Sequence, residues 1–306
     1  MSLLVIGSLA FDTVITPFAK ADNALGGSAV YVSVAASYFT KPIYLVGVVG
    51  DDFKEEHVKL LKDHNVDIEG LQIIENGKTF RWGGKYHDDM NNRDTLFTEL
   101  NVFQDFDPVI PENYKKSEYV LLGNIDPTLQ LRVLKQIISP KFIVCDTMNL
   151  WIDIKNAELL EVIKQVHVLI INDSEARLIT KEPNLIKAAK MIMKMGPEFL
   201  IIKKGEHGAL LFSKDKIFSA PAYPLENIYD PTGAGDTFAG GFIGYMQKTQ
   251  DLSFENMKKA VIYGSALASF CVEHLSTKGI ENLTQTKIQE RFKEFLSLTE
   301  CSDDEK

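Results

Sequence analysis

The chain has 306 residues, 33 Lys+Arg against 42 Asp+Glu, and a formal net charge of −9. With 45% hydrophobic and 25% charged residues, the composition is ordinary for a globular protein and excludes collagen-like, coiled-coil and disordered classes. The acidic balance argues against a partner such as a nucleic acid polymer, whose binders carry a basic footprint, yet it leaves room for a local site that takes one phosphate-bearing ligand.

In chain order, Met1-Ser-Leu-Leu-Val-Ile-Gly7 is apolar, lacks a basic start and meets Asp12 early. It reads as a first strand over Leu3–Ile6 and not as a signal peptide. Further short apolar runs occur at Ile43–Val49, Tyr119–Leu122, Phe142–Cys145, Val166–Ile171, Phe199–Ile202 and Ala209–Phe212. Several are apolar at every position, as in strands buried on both faces. Amphipathic stripes between and after them predict helices: Phe53, His57, Leu60, Leu61 and His64; then Ala239, Phe242, Ile243 and Met246; then Met257 to Cys271. Strands alternating with helices need crossover connections. The expectation is an α/β fold, a doubly wound, mostly parallel sheet with helices on both faces.

The stretch from about Gln72 to Phe106 breaks this rhythm. Thr79-Phe-Arg-Trp-Gly-Gly-Lys-Tyr86 alternates large and polar residues, His87–Arg93 is a turn-rich connection, and a second extended run follows over Thr95–Phe103. This is a hairpin signature. Without repeats or a low-complexity linker, the chain reads as a single domain over 1–306 carrying a β outgrowth over 72–106, with 12–25 contributing. The tail beyond Leu298 is polar and expected to fray. Cys145, Cys271 and Cys301 are odd in number and widely spaced, so they read as two core thiols and one tail thiol, not as a disulfide or zinc framework. No apolar run reaches the ~18 residues of a membrane span; the expectation is a cytoplasmic protein with no membrane partner.

Asp230-Pro-Thr-Gly-Ala-Gly-Asp-Thr-Phe-Ala-Gly-Gly-Phe242 carries the chemistry. Gly233, Ala234 and Gly235 let a backbone approach a ligand closely, and they open the helical stripe from Ala239. Such a turn aims free N–H groups and the positive end of the helix dipole at one point, which suits an anion. Asp236, in the first turn, stands where a carboxylate could take the proton of an alcohol attacking phosphorus. The bland alternative is a tight turn with Asp236 as a helix cap. The chain has no G-x-x-x-x-G-K-[ST] and no G-x-G-x-x-G after its first strand, which excludes a Walker loop and weighs against a dehydrogenase.

This segment resembles the C-terminal signature of the ribokinase-like PfkB carbohydrate kinases. Gly26-Gly27-Ser28-Ala29, Val46-Gly-Val-Val-Gly-Asp-Asp-Phe53, Asn172-Asp-Ser-Glu175 and Lys203-Lys-Gly-Glu-His-Gly208 match further motifs in the family's order, over nearly the whole chain. The resemblance implies an ATP-dependent kinase with Asp236 as general base and Gly233, Ala234 and Gly235 as anion hole. It implies that Lys203, Gly205, Gly208 and Asn172 meet the nucleotide and that Asn172 and Glu175 order Mg²⁺ through water. Asp230 would lie at a monovalent-cation (K⁺) site known in some relatives, with turn initiation as its alternative role.

On the acceptor side, the resemblance makes Asp12, Gly26 and Gly27 substrate-binding residues and the β outgrowth a lid, across which subunits would pair as a homodimer. Ribokinases carry Asn where this chain has Ala10 and Tyr31; both changes remove hydrogen-bond partners of a sugar and weigh against plain ribose. Gly-Gly-Ser-Ala is similar instead to adenosine-kinase-like members, and Tyr31 could stack on a base or lie flat on a sugar. Asn124, Asp146 and Asn149 end strands at the sheet edge where α/β sites form, as acceptor-side candidates or strand-end caps. The expected function is phosphorylation of a hydroxymethyl group of a sugar or sugar derivative. The alternatives are a nucleoside kinase and, remotely, a non-catalytic ligand-binding protein.

Overall fold

Fully apolar runs can be buried on both faces only inside a layered α/β sandwich, and the chain builds one. The computed structural model describes residues 2–300; Cys301 lies outside the described residues, while Cys145 and Cys271 are buried thiols. The strands are β1 Leu3–Ile6, β2 Ala10–Ile15, β3 Lys20–Gly26, β4 Ile43–Gly50, β5 Val66–Ile74, β6 Phe80–Tyr86, β7 Arg93–Glu99, β8 Tyr119–Leu122, β9 Phe142–Asp146, β10 Val168–Asn172, β11 Phe199–Lys203, β12 Ala209–Phe212 and β13 Ile217–Ala220. The helices are α1 Ser28–Ser37, α2 Glu55–Asp63, α3 Pro127–Leu134, α4 Asn149–Ile154, α5 Asn156–Ile163, α6 Asp173–Thr180, α7 Leu185–Met193, α8 Ala234–Thr249, α9 Phe254–Val272 and α10 Gln285–Ser297.

Nine strands form the main sheet in the order β13-β12-β11-β10-β9-β8-β1-β4-β5. All pairs from β5 to β11 are parallel, and β12 and β13 close the far edge antiparallel. Ala209–Phe212 therefore reverses direction. Five residues separate it from β11 in sequence, too few for the crossover that a parallel partner needs. Along β1 the side chains alternate: Leu3 and Val5 face a core shared with α1, α8 and α9, while Leu4 and Ile6 face a second core shared with α3, α5 and α7. Helices thus cover both faces. Among the described residues no helix is long and apolar enough to cross a membrane.

A separate small sheet, ordered β3-β2-β6-β7, is mixed: β2 runs parallel to β6, and both outer pairs are antiparallel. The outgrowth is narrower than 72–106. Gln72–Ile74 end β5 and pair with Val48–Gly50 in the main sheet, and Asn101–Asp105 form a 3₁₀ turn that puts Phe103 into the second core. The second lid strand is Arg93–Glu99; the run over Thr95–Phe103 looked continuous because its last residues are apolar for packing beneath the sheet. The lid's inner face packs Val14, Tyr86 and Met90 with Trp82 and Ile228, ahead of the glycine-rich turn.

The strand order reverses at β1, which has β4 on one side and β8 on the other. Ligands of open α/β sheets bind in the crevice at such a switch, beyond the carboxyl ends of the strands. That edge carries Gly7 and Gly123, just beyond β1 and β8, and Asp146, Asn172 and Lys203, the last residues of β9, β10 and β11.

Candidate active site

Helix α8 enters through Gly233, whose φ of +77° lies in the left-handed region that glycine adopts without strain. A Cβ there would overlap the Tyr31 ring at 2.3–2.4 Å. Tyr31 is fully buried in α1, and α1 crosses α8 closely because Gly240 and Gly244 leave room for the Val32 and Ala36 backbone. Tyr31 is thus the floor under the turn and leaves no open ring face for stacking on a base. Asp230, almost wholly buried, anchors the other side: Oδ1 accepts from Thr232 N–H at 2.8 Å and Oδ2 from Ser276 N–H at 3.0 Å. The N–H groups of Gly235 and Asp236 fall in the first turn, where no intrahelical carbonyl is available. The Ala234 N–H, which the sequence reading places in the anion hole, is instead taken up by the Pro231 carbonyl at 3.2 Å, so the turn offers an anion the N–H groups of Gly235 and Asp236.

Two charged side chains face this cradle. A Cβ on Gly235 would sit 2.8 Å from Lys203 Nζ, so the ammonium lies directly over the turn. Lys203 Nζ is 3.5 Å from Asp146 Oδ1, which ends β9 and is buried. Burial by itself would lower the lysine, yet the carboxylates of Asp146, Glu175 and Asp236 hold it above its ordinary value. Burial, reinforced by Asp146, pushes Asp236 up to about 7, against the pull of Lys203 and Arg93. That value suits a general base near neutral pH.

Asp12 comes from β2, and a Cβ on Gly26 would fall 1.9 Å from its Oδ2. The diglycine therefore makes space for this carboxylate. Gly27 at φ +92° turns its N–H onto Asp12, and burial with the nearby Asp230 and Asp236 raises the Asp12 pKa to about 7. Asp12 and Asp236 thus share one pocket of charge, as an acceptor-binding group and a base would.

Asn172 and Glu175 form a reciprocal capping box on α6: Asn172 Oδ1 accepts from Glu175 N–H at 2.8 Å, and Asn172 N–H donates to Glu175 Oε2 at 2.7 Å. The pair fixes the end of β10, and burial raises Glu175 to about 7 despite Lys203. Gly205 (φ +54°) and Gly208 (φ +80°) shape the turn after β11; the lid residue Asn91 places Oδ1 2.6 Å from where a Gly205 Cβ would be. Asn124 is engaged elsewhere, accepting from Trp151 Nε1 at 2.9 Å and contacting Met148 Sδ. The structure thus brings together Asp12, Gly26, Gly27, Tyr31, Glu175, Lys203, Asp230 and the Gly233–Asp236 turn, while Asn124 bonds into a separate group.

Two lid side chains also reach this site. Arg93, the first residue of β7, holds its guanidinium 5.4 Å from the Trp82 ring centroid and 6.0 Å from that of Tyr86, and its charge lowers Asp12, Glu175 and Asp236. Tyr86 OH accepts from Thr232 Oγ1 at 3.2 Å, which ties the lid to the glycine-rich turn. The alternation of β6 signals an inward Tyr86, but nothing local marks the reach of Arg93.

Comparison with known proteins agrees with this fold. The family model for the pfkB family of carbohydrate kinases matches residues 4–283. The chain belongs to that family. It is 32% identical over 252 residues to the cytidine kinase of Thermococcus kodakarensis, covering 80% of this chain and 88% of that one. It is 28% identical to the nucleoside kinase of Methanocaldococcus jannaschii over 87% of this chain and 84% of that one. The crystal structure of that archaeal nucleoside kinase superposes with a TM-score of 0.75 at 22% identity over 96% of this chain and 98% of that one. Ribokinase from Thermotoga maritima gives 0.74 at 20% identity over 96% and 99%. This pfkB-family kinase is accordingly a ribokinase-fold phosphotransferase with an alcohol group as acceptor.

Proposed function

We propose that this kinase transfers the terminal phosphoryl group of ATP to the hydroxymethyl group of a nucleoside. The observation that carries this reading is the match, along most of both chains, to proteins named cytidine kinase and nucleoside kinase. The site's own residues supply the chemistry. Asp12 binds the acceptor's hydroxyls, Asp236 takes the proton of the attacking hydroxyl, and the Gly235 and Asp236 N–H groups with Lys203 hold the phosphoryl group as charge develops. Lid residues Trp82, Tyr86 and Met90 cover the acceptor and exclude water, the competing nucleophile.

Among the described residues no three His, Cys, Asp or Glu side chains stand close enough to hold a metal by themselves. The donor set fits Mg²⁺, which keeps most of its water and binds chiefly through phosphates; Glu175 and Asn172, joined at the end of β10, would order that water. The ion would neutralise nucleotide charge. For Asp230 we favour an anchor of the turn, through which K⁺ would act; replacing KCl by choline chloride in the assay tests it. β7 is exposed along its length as an edge strand, with Leu96 and Phe97 among its exposed apolar residues. That supports a homodimer through the lid, checked by sedimentation, and a cytoplasmic enzyme is the setting in which ATP is available.

ADP release with MgATP and a panel of cytidine, uridine, adenosine, inosine, guanosine, ribose and sugar phosphates tests the substrate. Nucleosides should react with the highest kcat/KM. Turnover of free sugars alone would replace this reading with a sugar kinase, and no turnover at all would favour a binding protein.

A further inference from the structure

We propose that Asp146 is a positioning residue that holds the Lys203 ammonium against the Gly235 end of the anion cradle. The inference rests on the kinase reading above and adds a residue that the motif for the glycine-rich turn does not contain. Lysine is a compact charge on a flexible stem, so its value over a phosphate depends on what fixes it. Its stem leaves β11 one strand beyond β10, and nothing on β11 itself directs the ammonium toward α8. Asp146 does so from β9: its Oδ1 lies 3.5 Å from Nζ and accepts no hydrogen bond. The same ammonium lies 2.8 Å from the Cβ position of Gly235.

Asp146 is itself rigidly placed. Gln130, fully buried in α3, donates through Nε2 to the Asp146 carbonyl at 3.2 Å and to the Gly123 carbonyl at 2.9 Å, clamping the ends of β9 and β8 together. A structural salt bridge would have its lone pairs satisfied, because an unpaired buried oxygen is costly. Here the carboxylate keeps one oxygen turned to the lysine alone, beside the place where the phosphates would lie. That arrangement costs stability and is explained by placement of the charge over the cradle.

A double-mutant cycle decides the matter. Lys203→Met should lower kcat and the affinity for a non-hydrolysable ATP analogue with Mg²⁺. Asp146→Asn should lower kcat about tenfold, with the acceptor KM nearly unchanged. In the Lys203→Met background, Asp146→Asn should change neither quantity more than about twofold, because the group it positions is gone. Equal losses in both backgrounds, or no loss on Asp146→Asn alone, would overturn the proposal. Should Asp146→Asn fail to fold, the double variant, in which both charges are removed, still compares directly with Lys203→Met. If the wild type phosphorylates no acceptor, the kinase reading fails separately, and calorimetry of the ATP analogue across the same cycle still tests Asp146.

Discussion

Asp236→Asn tests the base and the electrostatics of its site together. The carboxyl lies above its ordinary value of 3.8, at about 7, chiefly through burial. A shift of about 3 units at roughly 1.4 kcal/mol per unit makes the ionised group cost the folded state about 4 kcal/mol at pH 8. The sign follows from proton binding. Between pH 4 and 7 the folded protein holds a proton that the unfolded chain has lost, so the stability this group allows is present below pH 4 and disappears as pH rises to 7. Asparagine keeps the shape and removes the charge, and the value of about 7 already includes the pull of Lys203 and Arg93, so the gain at pH 8 should fall between about 1 and 4 kcal/mol once relaxation around the site is allowed for. At pH 5 it should be less than half as large. Urea unfolding followed by the fluorescence of Trp82 and Trp151 measures both, and steady-state assay should show kcat down about 10³-fold. A variant that is less stable at pH 8, or equally shifted at both pH values, would refute the burial argument. One that retains wild-type turnover would refute the base.

The remaining predictions use the same geometry. Because Asp236 must be ionised to accept a proton, kcat/KM for the acceptor should fall about tenfold per unit as pH drops below about 7; a flat profile down to pH 5 would exclude a base raised to that value. Gly235→Ala places its methyl against the movable end of Lys203, so Tm should hold within a few degrees while kcat drops at least about tenfold. Gly233→Ala puts a side chain into the left-handed region and into the buried Tyr31 ring, so both Tm and activity should fall. Gly26→Ala displaces the Asp12 carboxylate and should raise the acceptor KM with little change in the KM for ATP; equal changes in both would show that Asp12 does not serve the acceptor side.

The α/β class and most of the main strands were legible because a strand buried on both faces must be apolar throughout, and the helices because their stripes must face one core. The glycine-rich turn that opens α8 was legible too. Gly233-Ala-Gly235 before an apolar stripe is a local device, and Asp236 follows it in sequence. β5 was obscured because Asp67, Glu69 and Gln72 interrupt its apolar pattern along an edge that needs no second sheet neighbour. Tyr31 read as a ligand-facing aromatic because sequence cannot say that Gly240 and Gly244 bring α1 against α8 and spend the ring beneath Gly233. Asp146 read as a strand-end candidate for the acceptor, whereas the parallel register of β9, β10 and β11 sets it beside Lys203. Residue types and their spacing fixed what chemistry the chain could perform. Which charges meet, and how far their pKa values move, depended on burial and on contacts between segments more than 50 residues apart, and those exist only once the sheet has closed.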